Sequence, residues 1–113
     1  MAKMEVQLVG DFDIIIEEIT DEILRKSMSA ELEDASDFVN GMSRCSVRVF
    51  ERYSMIGSNR VSLNITLFET ESELQLSAIA SGGSQAMLFK VNTFGEEAFL
   101  NELVPIIKKY QID

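Results

Sequence analysis

Residues 44–81 read RCSVRVFERYSMIGSNRVSLNITLFETESELQLSAIAS. Period-two alternation with β-branched and aromatic residues, broken by Gly57-Ser58-Asn59 and by Thr70-Glu71-Ser72-Glu73, predicts three consecutive strands over about 44–55, 60–69 and 73–81. Short loops make such strands antiparallel neighbours. A three-residue first loop would set Cys45, Val47, Val49, Tyr53 and Met55 on one face with Val61, Leu63, Ile65 and Leu67. A four-residue second loop adds Leu74, Leu76, Ala78 and Ala80 to that face. The opposite face is then expected to carry Arg44, Arg48, Phe50 and Arg52, followed by Arg60, Asn64 and Phe68, then Gln75, Ser77 and Ile79. In this register Arg52 lies opposite Asn64 and Arg48 opposite Phe68, a pairing suited to cation–π contact.

The flanking segments complete an α+β pattern. Met4, Val6 and Leu8 alternate with Glu5, Gln7 and Val9 as a first strand. Asp11 is a helix N-cap residue, and Phe12, Ile15, Ile16, Ile19 and Ile23 recur at helical spacing, with Ile14 and Leu24 widening the stripe. Arg25 and Lys26 close this helix where the dipole favours cations. Residues 28–35 suit a short edge strand whose charges discourage edge-to-edge pairing, and 34–42 a loop. Beyond Gly82-Gly83, residues 86–91 suit a further strand. Thr93 with Glu96 is a capping box opening a helix to about Tyr110, which Pro105 should kink or split. The expected architecture is one α+β domain over 1–113: an antiparallel sheet of four to six strands with two helices packed on one face, in the order β-α-β-β-β-β(-β)-α.

Composition narrows the function classes. A chain of 113 residues, 46% hydrophobic and 26% charged, can bury a core without disulfides or metal. Histidine is absent, which removes the commonest general base and metal ligand and any Ser-His-Asp or Cys-His arrangement within the chain. Cys45 is the single cysteine, expected on the apolar face where a thiolate is disfavoured. No phosphate-binding glycine motif occurs, and Gly82-Gly83-Ser84 is more simply a turn than an anion nest. No apolar signal segment or membrane span is visible, so a cytoplasmic protein is expected. No cofactor is implied.

Net charge is −9, which disfavours nucleic acid. Residues 1–37 hold eleven Asp/Glu against Lys3, Arg25 and Lys26, a local balance of −8; residues 44–60 hold four Arg against Glu51, a balance of +3. Three readings of the arginine face stay open. It is an ordinary solvated face; or an interaction surface, with the acidic helix or edge strand of one subunit meeting the arginines of another; or a site for a small anionic ligand, since the guanidinium fork binds two oxygens. The candidate residues are Arg44, Arg48, Phe50, Arg52, Arg60, Asn64 and Phe68. A pocket between sheet and C-terminal helix, lined by Met55, Leu63, Met87, Phe99 and Leu103, is the alternative site. Glu51 is expected buried with a raised pKa, or paired with a cation at the sheet rim, or turned outward by a bulge.

The segments Phe50-Glu51-Arg52-Tyr53-Ser54, Asn59-Arg60-Val61-Ser62-Leu63-Asn64, Ser81-Gly82-Gly83-Ser84-Gln85 and Asn92-Thr93-Phe94-Gly95-Glu96-Glu97-Ala98-Phe99-Leu100 resemble a family of small stand-alone bacterial proteins, chiefly Gram-positive, classed only as a domain of unknown function. That resemblance implies a bacterial, cytoplasmic, single-domain protein and transfers no catalytic residue. The element order also resembles helix-grip folds, a likeness of fold that carries no function. The expectation is a non-enzymatic interaction protein, homo-oligomeric or with a protein partner; the alternative is a binder of a small anionic or apolar molecule.

Overall fold

Alternating Met4, Val6 and Leu8 give a strand one apolar face, and the chain opens with β1 (Ala2–Leu8). The computed structural model describes residues 1–53, 60–82 and 96–112. Gly10, at φ +154°, turns the chain. A Cβ there would lie 2.9 Å from Ile15 Cδ1 and 3.0 Å from Tyr110 Cδ1, so only glycine allows this close approach. Asp11 Oδ1 then accepts from the Ile14 N–H at 3.0 Å, capping α1 (Phe12–Lys26). Phe12, Ile15, Ile16, Ile19 and Ile23 are all buried, whereas Ile14 and Leu24 stay exposed.

The remaining elements are β2 (Glu31–Asn40), β3 (Ser43–Tyr53), β4 (Arg60–Glu69), β5 (Leu74–Gly82), a helical segment α2 at 96–101 and α3 (Val104–Tyr110). The five strands form one antiparallel sheet in the order β1-β5-β4-β3-β2. Pro105 occupies the first turn of α3 and separates it from α2, because proline cannot donate to the preceding turn. The expected capping residue Thr93 and the expected strand at 86–91 lie outside the described residues. Glu96 is buried and turned to the sheet rim, where its carboxylate pairs with the Met1 amino group and accepts from Gly82 N–H at 2.6 Å.

β2 differs from expectation. Instead of a strand at 28–35 followed by a loop, residues 31–40 form one ten-residue edge strand, with a register shift between Leu32 and Asp34. Asn40 pairs with Ser43 across Gly41-Met42, and Gly41 sits at φ +61°, as two-residue hairpin turns require.

Both helices lie on the same face of the sheet. α1 runs with β3, its N-terminal Phe12 beside Arg44 and its C-cap Ser27 beside Arg52. The C-terminal helices run back the other way, Phe99 beneath Arg52 and Tyr110 against the end of β1, where Val9 N–H donates to the Tyr110 carbonyl at 2.8 Å. The core between these layers holds Leu63, Ile65, Leu67, Leu76, Ala78 and Ala80 from the sheet. Alanines at 78 and 80 keep the helices close.

The β3–β4 register is the main correction. Phe50 pairs with Leu63, Arg48 with Ile65 and Arg52 with Val61. The even positions of β3 therefore face the helices, together with the odd positions of β4 and the even positions of β5 and β1. Strand β3 ends at Tyr53 and β4 starts at Arg60, leaving an even number of intervening residues, and a change of loop parity exchanges the two faces of a strand. The β4–β5 parity is as expected, with Thr70 N–H donating to the Glu73 carbonyl at 2.8 Å in the turn.

Candidate interaction surface

The register divides the seven candidate residues between two faces. Arg44, Arg48, Phe50 and Arg52 lie on the helix side; Arg60, Asn64 and Phe68 lie on the outer side. Phe50 is fully buried in the core. The long aliphatic stems of arginine can line an apolar layer while the heads emerge at its rim, which is why alternation of Arg with Phe served a core face here.

Each arginine already holds a carboxylate within the chain. Arg44 spans Asp13 (3.0 Å) and Glu69 (3.2 Å), and its guanidinium lies 4.3 Å from the Phe12 ring centroid. Its bond to Asp13 raises its already high pKa. Arg52 pairs with Glu102, donates to Ser27 Oγ and stacks 4.3 Å from the Phe99 ring; Ser27 in turn donates to Glu102 at 3.0 Å. Arg44 and Arg52 are eight residue steps apart along β3, roughly 26 Å, and the fifteen residues of α1 span about 22 Å. The two arginines therefore clamp opposite ends of α1. Arg48, between them, bonds Asp37 at 3.0 Å. The Ser46 hydroxyl, donating to Asp37 at 2.5 Å, and then Arg48 hold the Asp37 carboxyl below its usual pKa. Arg60 pairs with Glu51 at 2.5 Å on the outer face, so Glu51 is the cation-paired carboxylate among the expected forms, turned outward by the register of β3. Cation–π contact joins Arg60 to Tyr53 at 5.4 Å, whereas Arg48 and Phe68 face opposite sides of the sheet.

Cys45 is half-buried on the outer face, not in the core. There the odd residues of β3 meet the even residues of β4 and the odd residues of β5. From Cys45 to Val49, Ser62 to Phe68 and Gln75 to Ile79, the outward positions carry no acid or base. Aromatic side chains border this neutral centre: Phe38 on β2 is 62% exposed, Tyr53 on β3 59% and Phe68 on β4 39%. Beside Phe68 is an open depression of about 400 Å³ floored by Gln75 and Ser77 and walled by Glu5, Gln7 and Thr66. Leu63, Phe99 and Leu103, expected to line a pocket, are fully buried core residues; Met55 and Met87 lie outside the described residues.

Phe38 and Tyr53 were not among the candidates. The sequence pattern puts Phe38 in a loop, although the Asn40-Gly41 dipeptide after it is a hairpin signal. A three-residue β3–β4 loop puts Tyr53 on the core face by the same parity that puts Arg48 outside. Among the described residues, no three acidic or thiol side chains converge as a metal ion needs, and no helix is long and apolar enough to cross a membrane.

No curated protein matches the chain, and no solved structure matches it. A family profile covers residues 1–111, which agrees with the resemblance read from the Phe50–Ser54, Asn59–Asn64 and Asn92–Leu100 segments. The chain belongs to the family of unknown function DUF6054.

Proposed function

We propose that this is a non-enzymatic cytoplasmic interaction protein that works as a homodimer, packed through the outer face of its sheet. The observation that carries this reading is the neutral centre of that face on a molecule of net charge −9. Two copies of so acidic a chain repel wherever their charges meet. The centre of β3, β4 and β5 brings Val47, Val49, Phe68 and Ile79 to a partner without bringing acids together. Aromatic side chains at its border are the type enriched in interface hot spots. Five strands about 4.8 Å apart and roughly 26 Å long present on the order of 500 Å² in projection, the scale of the ~800 Å² of accessible surface each partner buries in a standard interface.

The arginines contribute indirectly. With their heads committed to Asp13, Glu69, Asp37 and Glu102, they leave little free cationic surface for an anionic ligand or for the acids of a second subunit. The contact is therefore uncharged, and salt, which screens the repulsion between two acidic chains, should leave it unchanged or strengthen it.

Native mass spectrometry and light scattering test this. The wild type is expected at twice the 12.7 kDa chain mass, unchanged or tighter in high salt. Val49→Lys with Phe68→Lys should give a folded monomer. A monomeric wild type at about 100 μM, well above the ~1 μM Kd of even a modest interface, sinks the proposal. A dimer that dissociates in salt shifts it to a charged contact.

A further inference from the structure

We infer that the free edge of β2 is a docking strand for an extended cationic segment of a partner protein, which adds to the sheet as a sixth strand. This edge is distinct from the centre of the outer face, which it meets at Phe38 and Asp34, and its test does not require dimerisation through that face.

Edge strands present a row of unpaired N–H and C=O groups, and proteins usually blunt them with lysine, proline, short length or cover. The opposite edge, β1, is partly covered: Ile112 N–H donates to the Gln7 carbonyl at 3.3 Å, and Leu8 bridges Gln111. β2 is ten residues long, contains neither lysine nor proline, and every one of its residues is exposed. Its guards are its acidic side chains and the register shift between Leu32 and Asp34, where Asp34 Oδ1 accepts from Ala35 N–H at 2.8 Å; acids repel a second copy of the strand but not a cationic one. The register of β2 with β3 is regular from Asp34 to Asn40, beyond the shift at Leu32/Asp34, so this is the stretch an added strand would pair with.

Charge chooses the occupant. β2 carries Glu31, Glu33, Asp34 and Asp37 and no base. A second copy pairing antiparallel with it would set like charges side by side, which destabilises cross-strand pairs. The wall above the inner face is acidic as well: Glu17 and Asp21 of α1, with Thr20 and Arg48, line an open groove of about 330 Å³. The chain's own bases are not available to fill it, because among the described residues all except Lys108 are in ion pairs. An extended segment alternating Lys or Arg with apolar residues satisfies both features. Its main chain completes the edge, as in other strand-addition complexes. In one phase its basic side chains lie on the side of Glu17 and Asp21 and its apolar ones on the side of Phe38; in the other its bases lie on the side of Asp34 and its apolar residues on that of Leu32 and Val39, all exposed apolar side chains.

The test uses the full-length ¹⁵N-labelled protein and eight-residue acetylated peptides of alternating Val and Lys, with Val-Glu peptides for comparison. The Val-Lys peptide should shift the amide signals of residues 34–40 saturably, and the Val-Glu peptide should not. N-methylation of alternate peptide residues gives the decisive readout. Methyl groups on the edge facing β2 should weaken binding at least tenfold, while methyl groups in the other phase should leave it within about threefold, since only one edge of an added strand donates to the sheet. Asp34→Lys, at an exposed position outside the core where only the bond from Ala35 N–H is lost, should weaken binding at least threefold while lowering the melting temperature by no more than a few degrees. Absence of binding, equal effects of the two methylation phases, or shifts confined to α1 or to the outer face would each overturn the inference.

Discussion

Truncating Phe50 to alanine discriminates most sharply between the two possible faces of β3. In the structure Phe50 is fully buried, paired with Leu63 and flanked by Arg48 and Arg52 beneath α1 and α2. Removing a buried phenyl ring costs the transfer free energy of the ring plus the cavity left behind, about 3–5 kcal/mol. Whole-domain stabilities are about 5–15 kcal/mol, so the variant should remain folded but marginal. With an m-value of ~1.5 kcal/mol/M in urea, the midpoint should fall by about 2–3 M. At ~4 °C per kcal/mol for a domain of this length, the melting temperature should fall by about 12–20 °C. Val49→Ala is the paired control: it removes methyl groups from a half-buried outer position and should cost no more than about 1 kcal/mol. Urea titrations followed by far-UV circular dichroism, at one protein concentration so that any dimer contributes equally, measure both. If Val49→Ala costs more than Phe50→Ala, the register is the other one and the assignment of both faces fails with it.

Two further outcomes follow from the ion pairs. Arg52→Ala leaves the Glu102 carboxylate, only 16% exposed, with Ser27 but no cation; it should cost about 2–3 kcal/mol, and Glu102→Gln added to it should recover at least ~1 kcal/mol, whereas a coupling below about 0.5 kcal/mol in the double-mutant cycle would refute the clamp. Glu18 accepts from Tyr110 Oη at 2.6 Å and from Lys109 at 3.0 Å, which in that order hold its pKa below the ordinary 4.5. That contribution is complete above pH 4.5 and is lost as the pH falls through the lowered value, so the wild type should lose more melting temperature between pH 5 and about 3 than Glu18→Gln, and parallel curves would count against the bridge.

Much of the architecture was legible in local pattern. The five buried positions of α1 and its Asp11 cap, the break at Pro105 and the facing of β4 against β5 all follow from spacing and from residues with one conformational role. Such features are set by neighbours within a few positions, where geometry leaves little choice. The acidic first third and the absence of histidine are equally plain in the sequence.

The candidate surface was legible only in part, because β3 is apolar on both sides. Cys45, Val47 and Val49 argue for one face and Phe50 for the other, and alternation alone does not rank them. Phe50 prevails through tertiary structure: a phenyl ring fills the space beneath the helices, and the arginines on its side find Asp13 on α1, Glu69 on β4, Asp37 on β2 and Glu102 in the turn between α2 and α3. None of those partners is near in sequence. The sequence by itself determined which segments are helices and strands, which way most of them face, and the charge any partner must meet. Only the tertiary structure decided which side of β3 is buried, and so which residues remain outside to bind. A strand's two faces differ by a single residue of register, and that choice is made by the packing and ion pairing of the whole layer, which no local window contains.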